Sequence, residues 1–448
     1  MTSVQLASWL ASWDAKRLLD RASWTLVDQG VVSIGTFVLN VQLARNLTAG
    51  DYGTFALFLG AIFALRAIAY SLISYPLSIR LSAASGDEHA RLLGNSILLA
   101  AALSLGLVVV MALGIVLLEV PTILAPACLC YLCWQVQETL RRCLFADFRY
   151  QAAVAGDGIA YIGQAFLIAL LAWLHAVTLP AALYLMSAAF GVGALVHASK
   201  LRYAWPNLAE TWLLAREYLL VGRWSVCHCE LDVARNQLIM WALAGAAGTA
   251  ATATFQACAN VANMMVPINL GIGNAIPQVA AHAQRSGGIS GAVRAASGYV
   301  LVGFAPILVI ATVTILLPEL LLRTVYGPSS PYLAAAMNLQ LLAVVGVFDY
   351  IAGMVCITLL GVQAGRLASG VNVVAVGTLA VLAFPLIGRH GVLGACLALL
   401  IANLVRAIGA AIAITWLIIH DKSRGQVRRM PASPSASTST LVSPGVEP

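Results

Sequence analysis

Four arginines stand in stretches that are otherwise apolar. Arg66, Arg223, Arg235 and Arg406 each fall within a run of about 20 apolar residues, the length that crosses a bilayer. Five acids share such runs: Asp28, Asp157, Glu230, Asp232 and Asp349. Amides and hydroxyls accompany them in stripes. Gln29, Ser33, Thr36 and Asn40 recur at i, i+4, i+7 and i+11, one face of a helix, and Thr249, Thr252, Gln256, Asn260, Asn263 and Pro267 follow a similar spacing. A shorter stripe is Asp157, Tyr161 and Gln164. The chemistry on offer is non-covalent. Guanidiniums present forked donors to oxyanions, amides and hydroxyls bond a polar cargo, and the acids either pair with the arginines or couple transport to a cation.

The cost of such groups decides how they are read. A central charge costs about 2.5–3.5 kcal/mol on insertion scales, so several together imply mutual pairing or a hydrated cavity. The competing reading of the stripes is interhelical hydrogen bonding, at about 0.6 kcal/mol per contact. The long stripes and the arginines of the second and seventh spans are assigned to a cavity lining. On the seventh span Arg223 and Glu230 share one face, while His228, Asp232 and Arg235 share another, where Asp232 and Arg235 are spaced to pair. Glu138, Arg141 and Arg142 sit near the inner end of the fourth span and are expected to snorkel to the interface. His175, His197, His282, His390 and His420 are given no role.

Covalent chemistry has little to stand on. No loop carries a paired-carboxylate motif, so no catalytic residue is assigned and an enzyme is not expected. Neither Cys128-Leu129-Cys130-Tyr131-Leu132-Cys133 nor Cys227-His228-Cys229 has a matching second half, so no metal site and no cofactor are expected. The nine cysteines read as small packing residues of spans.

The elements that hold these residues follow from composition. The chain has 448 residues, 61% hydrophobic and 10% charged, with mean hydropathy +0.89. That excludes a soluble domain and indicates a polytopic membrane protein. The net charge of +7 belongs to membrane sidedness, not to a nucleic-acid partner. Twelve spans are expected near 22–43, 53–75, 93–117, 122–144, 153–173, 179–199, 217–243, 250–272, 297–317, 333–360, 367–388 and 391–418. With both termini cytoplasmic, eighteen of the 25 Lys and Arg fall in inner segments, three in outer turns and four within spans.

The first span and its exit turn return 200 residues later. Trp24, Leu43, Ala44, Thr54 and Phe55 are matched by Trp224, Leu243, Ala244, Thr254 and Phe255. An internal repeat with six spans between its copies predicts an all-α protein of two six-helix lobes around a central cavity, related by an axis along the membrane normal. The expected divisions are an interfacial segment 1–21, an N-lobe 22–199, an inner loop 200–216, a C-lobe 217–418 and a disordered tail 419–448.

The turn Leu47-Thr48-Ala49-Gly50-Asp51-Tyr52-Gly53-Thr54-Phe55-Ala56, after a polar first span, resembles the polysaccharide transporter (Wzx-type flippase) branch of the multidrug/oligosaccharidyl-lipid/polysaccharide exporter superfamily. The segment Ala253 to Asn263, leading to Pro267 and Ile276-Pro277, is similar to that family's eighth span. The resemblance covers about residues 20 to 420. It implies a bacterial inner-membrane flippase carrying an oligosaccharide on undecaprenyl pyrophosphate from the cytoplasmic to the periplasmic leaflet. The partners it implies are lipid-linked oligosaccharide, membrane lipids, a repeat-unit polymerase and a chain-length regulator. Arg66 and Arg223 would meet the pyrophosphate first, with Arg235 and Arg406 behind, while Gln29, Asn40, Gln256, Asn260 and Asn263 would meet sugar hydroxyls. Two alternatives stay open: a cation-coupled multidrug exporter of the same superfamily, and a membrane glycosyltransferase or polymerase.

Overall fold

A computed structural model describes residues 13–429 apart from 82, 83, 85, 118 and 148. Its secondary structure, among the described residues, is helical throughout. Twelve rods follow one another. They are α1 (13–46), α2 (49–81), α3 (86–117), α4 (121–146), α5 (150–173), α6 (179–200), α7 (208–247), α8 (249–287), α9 (288–316), α10 (331–361), α11 (365–390) and α12 (391–429). A short helix, Pro318–Tyr326, lies between α9 and α10. "Inner" below means the side on which α1 begins and α12 ends.

Local sequence explains where the rods start and stop. Thr48 caps α2 by accepting from Asp51 N, Thr178 caps α6 by accepting from Ala181 N, and Asn207 caps α7 by accepting from Ala209 N and Glu210 N. Each satisfies donors that a helix start leaves open. The joints between α8 and α9 and between α11 and α12 turn at Gly288 (φ 61°) and Gly391 (φ 56°), backbone angles that a side chain disfavours. A π-helical turn, Tyr70–Ser74, interrupts α2. Pro76 follows it closely, and a proline ring clashes with the carbonyl four residues back in a regular helix.

Several stretches are long and apolar enough to cross a membrane: Ala49–Ser78, Gly86–Leu117, Tyr150–Trp173, Leu179–Lys200, Gly287–Leu316, Pro331–Gly361 and Gly365–Asp421, the last holding two rods. The chain is a multi-pass membrane protein. On α3, Leu105, Val109, Val110, Leu113 and Leu117 stand exposed, an apolar surface suited to lipid. The remaining rods, α1, α4, α7 and α8, are interrupted by more polar groups, among them Asp28, Glu138, Arg235 and Gln256.

Two lobes result. In the first, α4 packs along α6, with α1 against α5 and α3 against α4. In the second, α9 packs with α10, and the continuous α11–α12 stretch packs with α10 and with α7. The seam between the lobes is made chiefly by α2 lying along α7 and α8. The repeat read from the sequence reappears here. Leu43, Leu243 and Phe55 are fully buried, Phe255 nearly so, and α1 and α7 end at equivalent points before α2 and α8 begin.

Both chain ends differ from expectation. Residues 1–12 and 430–448 lie outside the described residues. The described part of the expected interfacial segment, 13–21, is the continuous start of α1. Helix α12 runs to Arg429, past the expected start of the disordered tail at 419, because Ile418 to Arg429 contains no proline or helix-stopping glycine pair.

Candidate substrate cavity

The outer end of the seam is sealed. Gly53 of α2 lies against the backbone of Thr249 at the start of α8, so closely that an added Cβ would overlap the Thr249 carbonyl. Arg45, at the end of α1, donates from Nε to Val325 O at 2.7 Å and from Nη2 to Thr324 O at 3.0 Å. These carbonyls end the short outer helix, where the helix dipole favours a cation. Beneath them Tyr52 packs against Tyr332 at 6.2 Å and Tyr332 against Tyr326 at 5.3 Å, ring centre to ring centre. Asn40 lies in the same layer. It accepts from Tyr52 Oη at 3.4 Å and from Gln256 Nε2 at 3.5 Å, so the first polar stripe meets the second across the lobes.

Inward of this seal is a cavity of about 810 Å³. Its walls come from α2, α4, α7, α8, α10 and α12. Among the described residues, the charged lining groups are Arg66, Arg142 and Arg235 with the acid Asp349. Gln237, Gln256, Asn263, Asn269 and Asn403 supply amides, and Phe63, Met240, Phe255 and Leu342 supply apolar surface.

Each wall is built around a carboxylate shared between arginines. On the C-lobe wall, Asp349 Oδ1 accepts from Arg235 Nη1 at 2.5 Å and from Arg406 Nη1 at 2.8 Å. Asn372 holds the Nε of Arg406 at 2.8 Å. On the N-lobe wall, Glu138 Oε1 accepts from Arg66 Nη2 at 3.0 Å and from Arg142 Nε at 2.8 Å. The rings of Trp134 and Tyr70 lie under Arg66 and Arg142, at 5.9 and 5.2 Å.

Behind the N-lobe wall lies a second layer of charge. Arg141, with a side chain only 4% exposed, pairs with Asp28 of α1, with Asp157 of α5 at 2.5 Å and with Glu138 at 3.1 Å. Gln137 donates to Asp157 at 2.6 Å. His197, fully buried, bonds Ala153 O at 2.9 Å and stands 3.7 Å from Asp157. The expectation that Arg141 snorkels is corrected: three carboxylates hold it inside the lobe, and Arg142 turns to the cavity. His197 likewise belongs to this cluster. The spacing of Glu138, Arg141 and Arg142, i, i+3 and i+4, signals that both arginines reach the acid, but not that one turns inward and the other to the cavity.

The other residues singled out from the sequence divide. Gln256, Asn263, Arg66, Arg235 and Asp349 line the cavity. Arg406 stands just behind it through Asp349. Asn260 is buried in the outer seal, donating to Tyr326 Oη at 3.4 Å. Gln29, Ser33 and Thr36 are half-buried on α1 and lie off the cavity lining. Arg223 is exposed on α7, also off the lining. Glu230 is half-buried, and among the described residues its Oε1 has no hydrogen-bond partner. Arg235 reaches across to α10, and the side chains of Asp232 and His228 lie outside the described residues. Asp28 and Asp157 are bound to Arg141.

The chain matches no protein-family model and no curated protein. Solved structures do match its fold. The inward-facing conformation of a multidrug resistance MATE family transporter of the MOP superfamily superposes with TM-score 0.73 at 15% identity, covering 89% of this chain and 98% of that one. The outward-facing conformation of such a transporter gives 0.61 at 14% identity, over 94% and 98%. A MOP superfamily transporter from Pyrococcus furiosus Vc1, described as having a binding pocket of reverse polarity, also gives 0.61 at 14%, over 94% and 98%. This chain has the MATE-type fold.

Proposed function

We propose that this chain is a membrane exporter working by alternating access, and that its cargo is an anionic amphiphile of the polyprenyl-pyrophosphate-linked oligosaccharide class, moved for surface polysaccharide synthesis at a bacterial inner membrane. The observation that carries the reading is the sign of the cavity: among the described residues, three lining arginines face one lining acid. Arginine forks match pyrophosphate oxygens, and the five lining amides match sugar hydroxyls. Alternating access rocks two lobes around a site at their interface, and the outer seal with a cavity beneath it is one end of such a cycle. The residues proposed to hold the cargo are Arg66, Arg142 and Arg235, with Gln256 and Asn263.

A second reading, export of drugs, is supported by the MATE neighbours and by the apolar lining of Phe63, Met240 and Phe255. Organic cations, however, meet like charge at three points of this cavity. A deletion strain separates the two. Loss of surface glycan with lipid-linked oligosaccharide held on the cytoplasmic side, restored by the wild type but not by an R66Q/R142Q/R235Q variant present at normal level, supports the first. Normal glycan with altered drug tolerance replaces it with the second.

A further inference from the structure

Glu138 supports a step beyond the cargo class, and the step rests on the anionic-cargo reading above. Its Oε1 serves the two cavity arginines of the N-lobe, and its Oε2 serves Arg141 behind them. The carboxylate is 7% exposed, while Arg66 and Arg142 are 32% and 26% exposed. A guanidinium carries five N–H groups. Among the described residues, Glu138 is the polar side chain that each of these arginines bonds, so both keep unspent donors on the cavity wall. A pair held only for packing would be enclosed. This pair is held from behind and open in front.

We propose that Glu138 is a built-in counter-anion which the phosphate oxygens of the cargo displace from Arg66 and Arg142. Two arginines without it would bind a pyrophosphate too tightly to let it go, and transport needs a site that is favourable to enter yet weak enough to leave. Exchange of one anion for another meets both needs. Displaced, Glu138 stays with Arg141, its remaining partner. Asp28 and Asp157 already share that guanidinium with it, and a Glu138 relieved of its two other cations competes for it more strongly, so loading loosens the tie through which Asp28 holds α1 against α4. Helix α1 also reaches the outer seal through Asn40 and Arg45. Cargo binding is thereby linked to the seal along one helix.

The test is calorimetric titration of the purified full chain with farnesyl pyrophosphate, inorganic pyrophosphate and farnesol. E138Q is expected to bind farnesyl pyrophosphate about tenfold tighter than the wild type, within the range of couplings for close charge pairs. E138D keeps the charge but is one methylene short of the cavity arginines, and is expected to gain less in the same direction. R66Q/R142Q loses the binding, and farnesol is unaffected by any of these changes. A parallel gain with inorganic pyrophosphate makes a free phosphate group sufficient, whereas a gain confined to the farnesyl compound makes a lipid head group the ligand. Unchanged or weaker binding by folded E138Q and E138D overturns the exchange. Should neither variant be obtained folded, the wild type decides it. Farnesyl pyrophosphate must shift carboxylate bands in its difference infrared spectrum, and their absence overturns the proposal. Tighter E138Q binding without transport of lipid-linked oligosaccharide would leave the exchange standing and remove the cargo assignment. Transport with unaltered E138Q affinity would do the reverse.

Discussion

The outer seal turns on an absent side chain, and adding one measures what the seal contributes. In G53V the new Cβ would lie 2.6 Å from the Thr249 carbonyl carbon and closer still to its oxygen. Carbon atoms rest at about 3.5–4.0 Å, so α2 and α8 must part by about 1 Å before the valine methyls are counted. Overpacking of this kind costs about 1–3 kcal/mol. In the alternating-access cycle proposed above the cost falls on one state, because parting the lobes at the outer end opens this contact. The inward-facing population should therefore drop by about fivefold to 150-fold relative to the outward-facing one, at tenfold per 1.4 kcal/mol. Spin labels at Asn46 and Arg323, both exposed at the outer end, report this in a variant with the native cysteines replaced. A longer distance component should already grow in G53A, which adds the clashing Cβ alone, and should grow further in G53V. A distance distribution in G53V identical to that of the wild type would refute the reasoning, since the seal would then tolerate a side chain at its tightest point.

Other perturbations follow from the same geometry. R45A removes two bonds to the carbonyls of Thr324 and Val325; at about 0.3–1 kcal/mol for a cation at a helix C-terminus, it should shift the label distances in the same direction as G53V but by a smaller factor. R141Q strands the buried carboxylates Asp28 and Asp157 and should destabilise the N-lobe by about 3–5 kcal/mol, read as a lowered unfolding midpoint in detergent that D28N partly restores. An unaltered midpoint would mean that the cluster is not a tie. For the C-lobe wall, a cycle of R406Q, D349N and the double variant should give a coupling of about 1–3 kcal/mol, as contacting groups in one network do, with additive effects counting against the shared carboxylate.

Much of the architecture was legible because the bilayer imposes it. Apolar length and the alternation of Lys and Arg marked the rods, and the 200-residue repeat located the two matching α1–α2 and α7–α8 corners. Gln256 and Asn263 were legible as cavity residues because a helical stripe states which face is polar. A stripe does not state what it faces. Asn40 and Asn260, from the same two stripes, belong to the outer seal, since those turns lie where the lobes touch. Arg141 was misread for a different reason. A charge near the end of a span can reach water or turn inward, and the choice depends on Asp28 and Asp157, far away in sequence. For Arg223, periodicity fixes its angle on α7 but not which neighbour that angle meets. Glu138 carried no signal as a cavity group, its role arising only when α2 brings Arg66 beside it.

The most direct test of the account is reconstitution. The purified chain is placed in liposomes with a polyprenyl-pyrophosphate oligosaccharide in one leaflet, and the fraction that becomes accessible to a glycan-modifying enzyme on the other side is followed in time. The account predicts transfer well above protein-free liposomes, lost in R66Q/R142Q/R235Q and not inhibited by organic cations. Transfer equal to protein-free liposomes, alongside uptake of an organic cation by the same preparation, would contradict it.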